Sequence, residues 1–334
     1  MAPNNTETPL MESPQTLHPR VIIKSNKSTI NNLEYEPTII WSNVFFISLF
    51  HIIAFFGFFY AIAHCKIMSI VTANFVGMAG GFGVTGGVHR LWSHRSYKAK
   101  LPLQIILLIC YSIAGQNTIY DWVRDHRVHH KFSETDADPH NAKRGFFFAH
   151  VGWLMQKKHP EVLRKGQTVD MTDITSDPLL MFHTKYFTTF KLLLCFILPI
   201  LFEVYVIGEN FFVAVLIMAF VRYICGLNFT WLVNSASHIW GNKPYDKRIS
   251  PAENLSVAIL AMGEGWHNYH HVFPWDYKAA ELGNYRFNVT TALIDMFAKI
   301  GWAYDLKYPS KELIIKTAER NGDGTHHHEE VPCE

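Results

Sequence analysis

The chain has 334 residues, of which 49% are hydrophobic and only 17% are charged, and its formal net charge is +2. This charge load is low for a soluble protein and favours a membrane protein, while the near-neutral balance argues against nucleic acid as the main partner. The five cysteines show no CxxC spacing, so neither a disulfide framework nor a cysteine-type zinc site is predicted.

Four apolar runs follow a polar N-terminal segment. Residues 1–37 are rich in Asn, Thr, Ser, Pro and Glu and are predicted to form a disordered cytoplasmic arm. Each apolar run is long enough to cross a bilayer core of about 30 Å as a helix. Arg222 interrupts the last run and is predicted to face protein rather than lipid. The runs form two hairpins, at residues 39–64 with 67–88 and at residues 187–206 with 211–233.

A further apolar run at residues 101–120 is predicted to lie along the interface or within the helix bundle. If it crossed the bilayer, His94 and His126 on its two sides could not share a site. Lys and Arg are abundant outside the hairpin tips, which predicts that the large segments are cytoplasmic. We therefore expect an all-α membrane protein, with four transmembrane helices in two hairpins and a cytoplasmic helical cap. Residues 311–334, which include His326, are predicted to be a flexible tail.

Histidines are concentrated in three clusters. Residues three and four apart share a helix face, so two of the clusters present their imidazoles to one point each. The five-residue spacing of the remaining pair suits a helix end. Eight imidazoles are more than one tetrahedral zinc can use, which predicts two metals in one site. The clusters are HRLWSH (His89, His94), HRVHH (His126, His129, His130) and GWHNYHH (His267, His270, His271).

A membrane metal transporter is the alternative from a different class. Its histidines would be expected inside the spans along a permeation path. Here the clusters follow the ends of the apolar runs, on the side predicted to be cytoplasmic. The sequence therefore favours a metalloenzyme over a transporter.

The three boxes, together with NSASHIWG and YDWVRDHRVHHKFSETDADPHN, resemble the membrane acyl-CoA desaturases, the stearoyl-CoA desaturase family, and most of all its insect members. The resemblance extends from about Ile39 to about Asp305, and Asp121 stands where the family has Glu. It implies an O2-dependent enzyme that introduces a cis double bond into a long-chain fatty acyl-CoA. Unsaturated fatty acid or pheromone-precursor biosynthesis, of the carbon 9 or carbon 11 type, is the implied role. A hydroxylase or a bifunctional desaturase would use the same boxes.

The resemblance also implies the site. Two iron ions would be held in a di-iron centre, with Asn234 reaching one iron through water and O2 as co-substrate. Thr230, Trp231, Gln116 and Trp122 would line the bend of an apolar tunnel. The implied ligands are His89, His94, His126, His129, His130, His238, His267, His270 and His271.

The coenzyme A moiety would lie near Asn117, Arg124 and Asp125. Asp125, Glu134 and Asp138 are predicted to orient imidazole N–H groups. Glycines at positions 77 and 81 would set the accepted chain length at the closed tunnel end. The chain has no flavin or nicotinamide fingerprint, so a separate cytochrome b5 and its NADH-dependent reductase are implied as electron donors. The family resemblance places the enzyme in the endoplasmic reticulum membrane, with the active site and both termini cytoplasmic.

Overall fold

The computed structural model describes residues 35–281 and 287–326. Most of the predicted N-terminal arm, at residues 1–34, and the last residues of the predicted tail, at residues 327–334, lie outside the described residues. The described part is mostly helical, and it contains one short antiparallel sheet in which β1 (Lys98–Ala99) lies beside β2 (Ala303–Tyr304).

Four helical segments are long and apolar enough to cross a membrane, which confirms the predicted spans. Phe55 and Phe59 on the first span are 60% and 58% exposed, because their rings face the space that lipid would fill. The second and fourth segments continue further toward the histidines than the apolar patterns predicted. Spans 1 to 4 are Trp41–His64, Ile67–Ser93, Phe187–Ile207 and Phe211–Ile239.

Regular α-helix makes up most of spans 1, 2 and 4, whereas span 3 alternates between α-helix and π-helix. π-helical segments at Gly83–Ser93, Lys191–Ile197, Glu203–Ile207 and Leu216–Val221 interrupt spans 2, 3 and 4, and short 3₁₀ helices form at Ala142–Arg144 and Gly152–Met155. The α-helices are α1 (Trp41–His64), α2 (Ile67–Phe82), α3 (Leu101–Ala114), α4 (Ile119–Phe132), α5 (Phe146–His150), α6 (Pro160–Gly166), α7 (Thr172–Thr175), α8 (Pro178–Lys185), α9 (Phe187–Phe190), α10 (Leu198–Phe202), α11 (Phe211–Val215), α12 (Arg222–Ile239), α13 (Leu255–Leu260), α14 (His267–Val272), α15 (Val289–Lys299) and α16 (Lys311–Asn321).

The predicted third apolar run forms α3, which buries Leu103, Leu107 and Tyr111 within the bundle. Gly115 then adopts a left-handed conformation (φ 61°), and the chain bends by 86° into α4. Helix α4 therefore runs nearly perpendicular to α3. The Nε2 atoms of His94 and His126 are 2.8 Å apart, so the two residues lie on the same side, as the sequence predicts.

The two hairpin tips are tied together at the end of the bundle remote from the histidines. The Glu209 carboxylate accepts hydrogen bonds from the Lys66 backbone N–H at 2.8 Å and from the Ser69 hydroxyl at 2.7 Å. Arg222, predicted to face protein, is buried and donates to the carbonyl oxygens of Cys195 and Met218. The spans are thus cross-linked by polar contacts that are shielded from lipid.

The C-terminal segment differs from its prediction. Residues 311–321 form helix α16, which buries Ile314 and Ala318 against Tyr245, Tyr269 and Phe273. The prediction of a flexible tail is therefore wrong for this helix, because two small apolar contacts in a mostly charged segment were enough to dock it.

Candidate metal centre and substrate cavity

The end of span 2 positions the first pair of histidines. Gly83–Ser93 forms a π-helix, whose hydrogen bonds join residues five apart, and the His94 N–H accordingly donates to the His89 carbonyl at 3.1 Å. The wider turn brings the two imidazole centroids within 4.9 Å. Gly83 permits the neighbouring helix to approach, because a Cβ there would lie 2.1 Å from the backbone nitrogen of Tyr111.

The other two clusters lie on α4 and α14, and the three clusters meet. Nine imidazoles form two groups, in each of which the candidate ligand nitrogens lie within 4.8 Å of one another. The two groups adjoin, since the ring centroids of His130 and His271 are 4.2 Å apart. The first histidine group is His89, His94, His126, His130 and His270, and the second histidine group is His129, His238, His267 and His271.

Carboxylates behind three of the rings fix their tautomers. His129 Nδ1 donates to Asp138 Oδ1 at 2.9 Å, and His238 Nδ1 donates to Glu134 Oε1 at 2.7 Å. His89 Nδ1 lies 2.9 Å from a Glu264 carboxylate oxygen. Because an ionised carboxylate can only accept, each of these rings carries its proton on Nδ1 and presents the Nε2 lone pair to the centre.

Burial keeps the remaining rings neutral. It lowers the pKa of His94, His126, His130, His267, His270 and His271 well below the ordinary value, and neighbouring imidazoles lower it further. Neutral imidazole is the form that binds metals.

The short distances between the imidazole Nε2 atoms are those expected around a bound metal ion. His238 Nε2 lies 3.0 Å from His267 Nε2, and His271 Nε2 lies 3.1 Å from the same atom. The His89 and His270 Nε2 atoms are likewise 3.0 Å apart. A lone proton cannot satisfy three converging nitrogens, whereas a cation at their centre satisfies all of them. The donor set is all imidazole, which suits iron, copper, zinc or nickel.

A large cavity of about 420 Å³ begins at these histidines. At one end its wall includes His89, His126, His129 and His267, and it continues past Gly81 along span 2. At the other end it reaches Ile70 near the hairpin tip, 19 residues from His89. At about 1.5 Å per residue the cavity follows roughly 28 Å of span 2, close to the thickness of a bilayer core. Its volume is within the usual range for a ligand pocket.

Three of the predicted substrate contacts form a bridge across the cavity wall. The Trp122 indole N–H donates to Gln116 Oε1 at 3.0 Å, and the Gln116 amide donates to Thr230 Oγ1 at 2.9 Å. All three also line a small cavity of about 240 Å³. Asn234 lines both cavities as well. The bridge therefore stands where the two cavities adjoin.

The small cavity is the more polar of the two. Its wall includes Asn117, Asp125 and Trp231, which were predicted to contact substrate, together with Lys191. Arg124 is absent from both cavity walls and pairs with Asp125 at 3.0 Å. The structure thus brings every predicted substrate residue to a cavity except Arg124.

The predicted roles of the acidic residues are partly wrong. Asp125 contacts no imidazole and instead pairs with Arg124 and Lys158. Glu264, which sequence reasoning passed over, contacts His89. Burial raises the pKa of Glu264, but Arg90 and His89 outweigh that effect and lower it to about 2. The available signal was its position three residues before His267, in the same box.

Comparison with known proteins agrees with this geometry. The family model described as fatty acid desaturase matches residues 66–282. The chain belongs to the fatty acid desaturase family. It is 52% identical to an acyl-CoA Delta-9 desaturase of Acheta domesticus over 98% of this chain and 93% of the relative. It is 53% identical to an acyl-CoA Delta(11) desaturase of Spodoptera littoralis, covering 86% and 85% of the two chains, and 50% identical to the stearoyl-CoA desaturase of Homo sapiens, covering 86% and 79%.

This desaturase is therefore a multi-pass membrane protein whose histidine boxes converge at the mouth of an apolar cavity. Membership of the fatty acid desaturase family explains why the histidine boxes and the apolar cavity occur together. A metal centre alone would be compatible with many activities, whereas a metal centre that opens into a cavity the length of a span is shaped for a long alkyl chain.

Proposed function

We propose that the chain is an O2-dependent acyl-CoA desaturase that introduces a cis double bond into a long-chain fatty acyl-CoA. The observation that carries this proposal is the continuity between two adjoining imidazole groups and one deep apolar cavity. Relatives named as Delta-9, Delta(11) and Delta12 acyl-CoA desaturases, each about half identical to this chain, support it.

The first and second histidine groups would each hold one iron, and Asn234 would reach one of the two irons through a water molecule. When bound, the two irons supply the oxidising capacity that removal of hydrogen from an unactivated methylene requires. In the overall reaction one CH2–CH2 unit loses two hydrogens. One O2 takes up these hydrogens with two external electrons and two protons, and two water molecules leave.

The protein's own contribution is to place one pair of methylenes at the centre. Nothing polar marks the target carbons, so the register of the chain is set by the shape of the cavity and by where its thioester end is held. The bridge of Gln116, Trp122 and Thr230 forces the chain to turn next to the histidines. A chain held in a turn has its hydrogens removed from one side, which favours the cis product.

The coenzyme A end lies on the side of the small cavity. Polar groups are provided there by Asn117, Asp125 and Lys158. The ion pair with Arg124 holds the Asp125 carboxylate in place. Phosphate groups of the carrier are then met by cations at the protein surface. Arg124 acts by holding Asp125 rather than by lining the cavity.

Electrons come from cytochrome b5 and its NADH-dependent reductase, and the site faces the cytoplasm from the endoplasmic reticulum membrane. Two features support this orientation. Lys and Arg are abundant in the segments on the histidine side, whereas Lys66 is the lone Lys or Arg at the hairpin tips. Those tips lie together at the other end of the spans.

Expression in desaturase-deficient yeast tests the proposal. Mass spectrometry should show monounsaturated products that are two hydrogens lighter than the substrate. Gas chromatography and mass spectrometry of their dimethyl-disulfide adducts should then show one dominant double-bond position. That position distinguishes the carbon 9 type from the carbon 11 type. A product one oxygen heavier would identify a hydroxylase, and absence of any product from a protein that carries its metal would overturn the proposal.

A further inference from the structure

A chain of hydrogen bonds packs beside Trp231. It links His51 on span 1, Asn228 and Ser235 on span 4, and His150 at the end of α5. The His51 Nε2 and Asn228 Nδ2 atoms are 3.1 Å apart, Asn228 Oδ1 and His150 Nε2 are 3.0 Å apart, and His150 Nδ1 and Ser235 Oγ are 2.9 Å apart. We call these four residues the Trp231 network.

The donor and the acceptor of each hydrogen bond in this network can be assigned in sequence, starting from His51. His51 Nδ1 lies 2.7 Å from the carbonyl oxygen of Ile47, which can only accept, so Nδ1 carries the proton and Nε2 accepts from the Asn228 amide. Asn228 Oδ1 then accepts from His150 Nε2, which leaves His150 Nδ1 to accept from the Ser235 hydroxyl. In this assignment the Ser235 hydroxyl donates its one proton to His150.

Both imidazoles are neutral in this assignment. Burial lowers the pKa of His150, which agrees with it. A hydrogen-bonded network of this kind is rigid, because rotation of any member leaves a polar group unpaired. At the His51 end the network stops at the Ile47 carbonyl group, which cannot pass a proton on. Its geometry suits holding a neighbour in place and does not suit proton transfer.

The neighbour that it holds is the indole of Trp231. The ring of His51 stacks on this indole with a centroid distance of 6.0 Å and an interplanar angle of 21°. The ring of His150 packs edge-on against it at 5.8 Å and 81°. The Ser235 hydroxyl oxygen also lies 2.9 Å from the Trp231 carbonyl oxygen. Trp231 is buried between these groups and lines the small cavity, next to Thr230 of the bridge.

We propose that His51, Asn228, His150 and Ser235 are positioning residues that fix the plane of Trp231, and thereby fix where the acyl chain turns and which carbons lose hydrogen. This inference rests on the proposed desaturase function. The target carbons carry no polar group that the protein could recognise. A small rotation of the Trp231 indole therefore changes the register of the acyl chain. The network contacts neither histidine group directly, so its loss should alter the choice of carbon more than the amount of bound metal.

Asn228→Leu tests the proposal because leucine has the same heavy-atom branching and removes the amide's hydrogen bonds to His51 and His150. The fraction of product with the double bond away from the main position should rise about fivefold, which corresponds to roughly 1 kcal/mol between competing transition states. Ser235→Ala, a smaller change at the other end, should shift the distribution in the same direction. Asn43→Leu is the matched control, since its amide joins span 1 to the Leu154 carbonyl outside the network. Its product distribution should equal that of the wild type.

A double-mutant cycle with Trp231→Phe separates positioning from general damage. If the network acts through the indole, Asn228→Leu adds no further shift in a Trp231→Phe background. Metal content and thermal stability are measured on the same preparations. An unchanged product distribution in Asn228→Leu and Ser235→Ala, with or without a lower yield, would overturn the proposal. Such a result would leave the desaturase function intact, whereas loss of all product from wild-type protein that carries its metal would overturn that function instead.

Discussion

The two histidine groups use the same kind of ligand in different electrostatic surroundings. The first group has five imidazoles and one carboxylate, Glu264, whose charge is shared with the buried Arg90 at 2.8 Å. The second has four imidazoles and two carboxylates, Glu134 and Asp138, and within residues 35–281 and 287–326 neither carboxylate contacts an Arg or Lys. We therefore expect metal binding to depend on the number of imidazoles in the first group and on the negative charge behind the imidazoles in the second.

Removing one of the proposed metal ligands should have the largest effect on product formation. His129→Ala takes a nitrogen from the group with fewer imidazoles and frees Asp138, so product formation should fall below detection while the protein still inserts in the membrane. Product analysis and immunoblotting of microsomes check both parts. His64→Ala is the control, because His64 is exposed and belongs to neither group. Activity retained in His129→Ala would remove this residue from the site.

Neutralising the carboxylates should distinguish the two groups. Glu134→Gln should lower product formation about 10- to 100-fold and reduce metal content, because His238 loses the negative charge behind its Nδ1–H group. Thermal stability of the metal-free protein should change little, since no cation is left unpaired.

Glu264→Gln should in addition destabilise the metal-free protein by roughly 3 kcal/mol, because Arg90 is then buried without its counter-charge. Iron analysis and thermal unfolding of both variants give the comparison. Equal losses of stability in the two variants would contradict the difference described between the groups.

A substitution in the wall of the large cavity, between the histidines and its remote end, should change chain-length selectivity and leave both histidine groups intact. Gly77 lines the cavity, and a Cβ there would meet only Arg222 Cγ at 3.8 Å, so a side chain can enter the space that the acyl chain needs. Gly77→Leu should shift products to shorter chains, and Gly81→Phe, which must displace Met262, should do so more strongly. Phe75→Leu, on the lipid-facing side of the same span, is the control. An unchanged chain-length profile in both glycine variants would move the closed end elsewhere.

The smallest effect is expected from a substitution in the C-terminal helix α16, which supports both histidine groups alike. Ile314 packs with Tyr269, and α14 carries His270 of the first group and His267 of the second. Ile314→Ala should destabilise the protein by about 2 kcal/mol and lower the metal content of both groups equally. Thermal unfolding and iron analysis test this, and a loss confined to one group would be inconsistent with shared support.

The spans and the convergence of the boxes could be predicted because their signals are local. An uncharged run of twenty residues has few alternatives to a membrane helix, and histidines at helical spacing share a face. The closeness of His89 and His94 could be expected only in outline, because the π-helix that brings them together has no clear sequence signal. The metal role of the nine histidines remains a proposal, although the structure brings them together.

The contacts that sequence reasoning missed are between segments far apart in the chain. Glu264 contacts His89 across 175 residues, and Ile314 packs against Tyr245 on another segment. Asp125 was expected near an imidazole because it precedes His126, but adjacent residues on a helix face different directions. His51 and His150 had no clustered neighbours in the sequence, and their shared contact with Trp231 exists only in the folded chain.

The iron content of the purified full-length protein tests the central claim most directly. Two adjoining imidazole groups predict about two irons per chain, in the same ratio from one preparation to the next. His129→Ala and His94→Ala should each lower this ratio, since each removes a ligand from a different group. One iron per chain in the fully active wild-type enzyme, or a ratio unaffected by either substitution, would contradict the two-metal account.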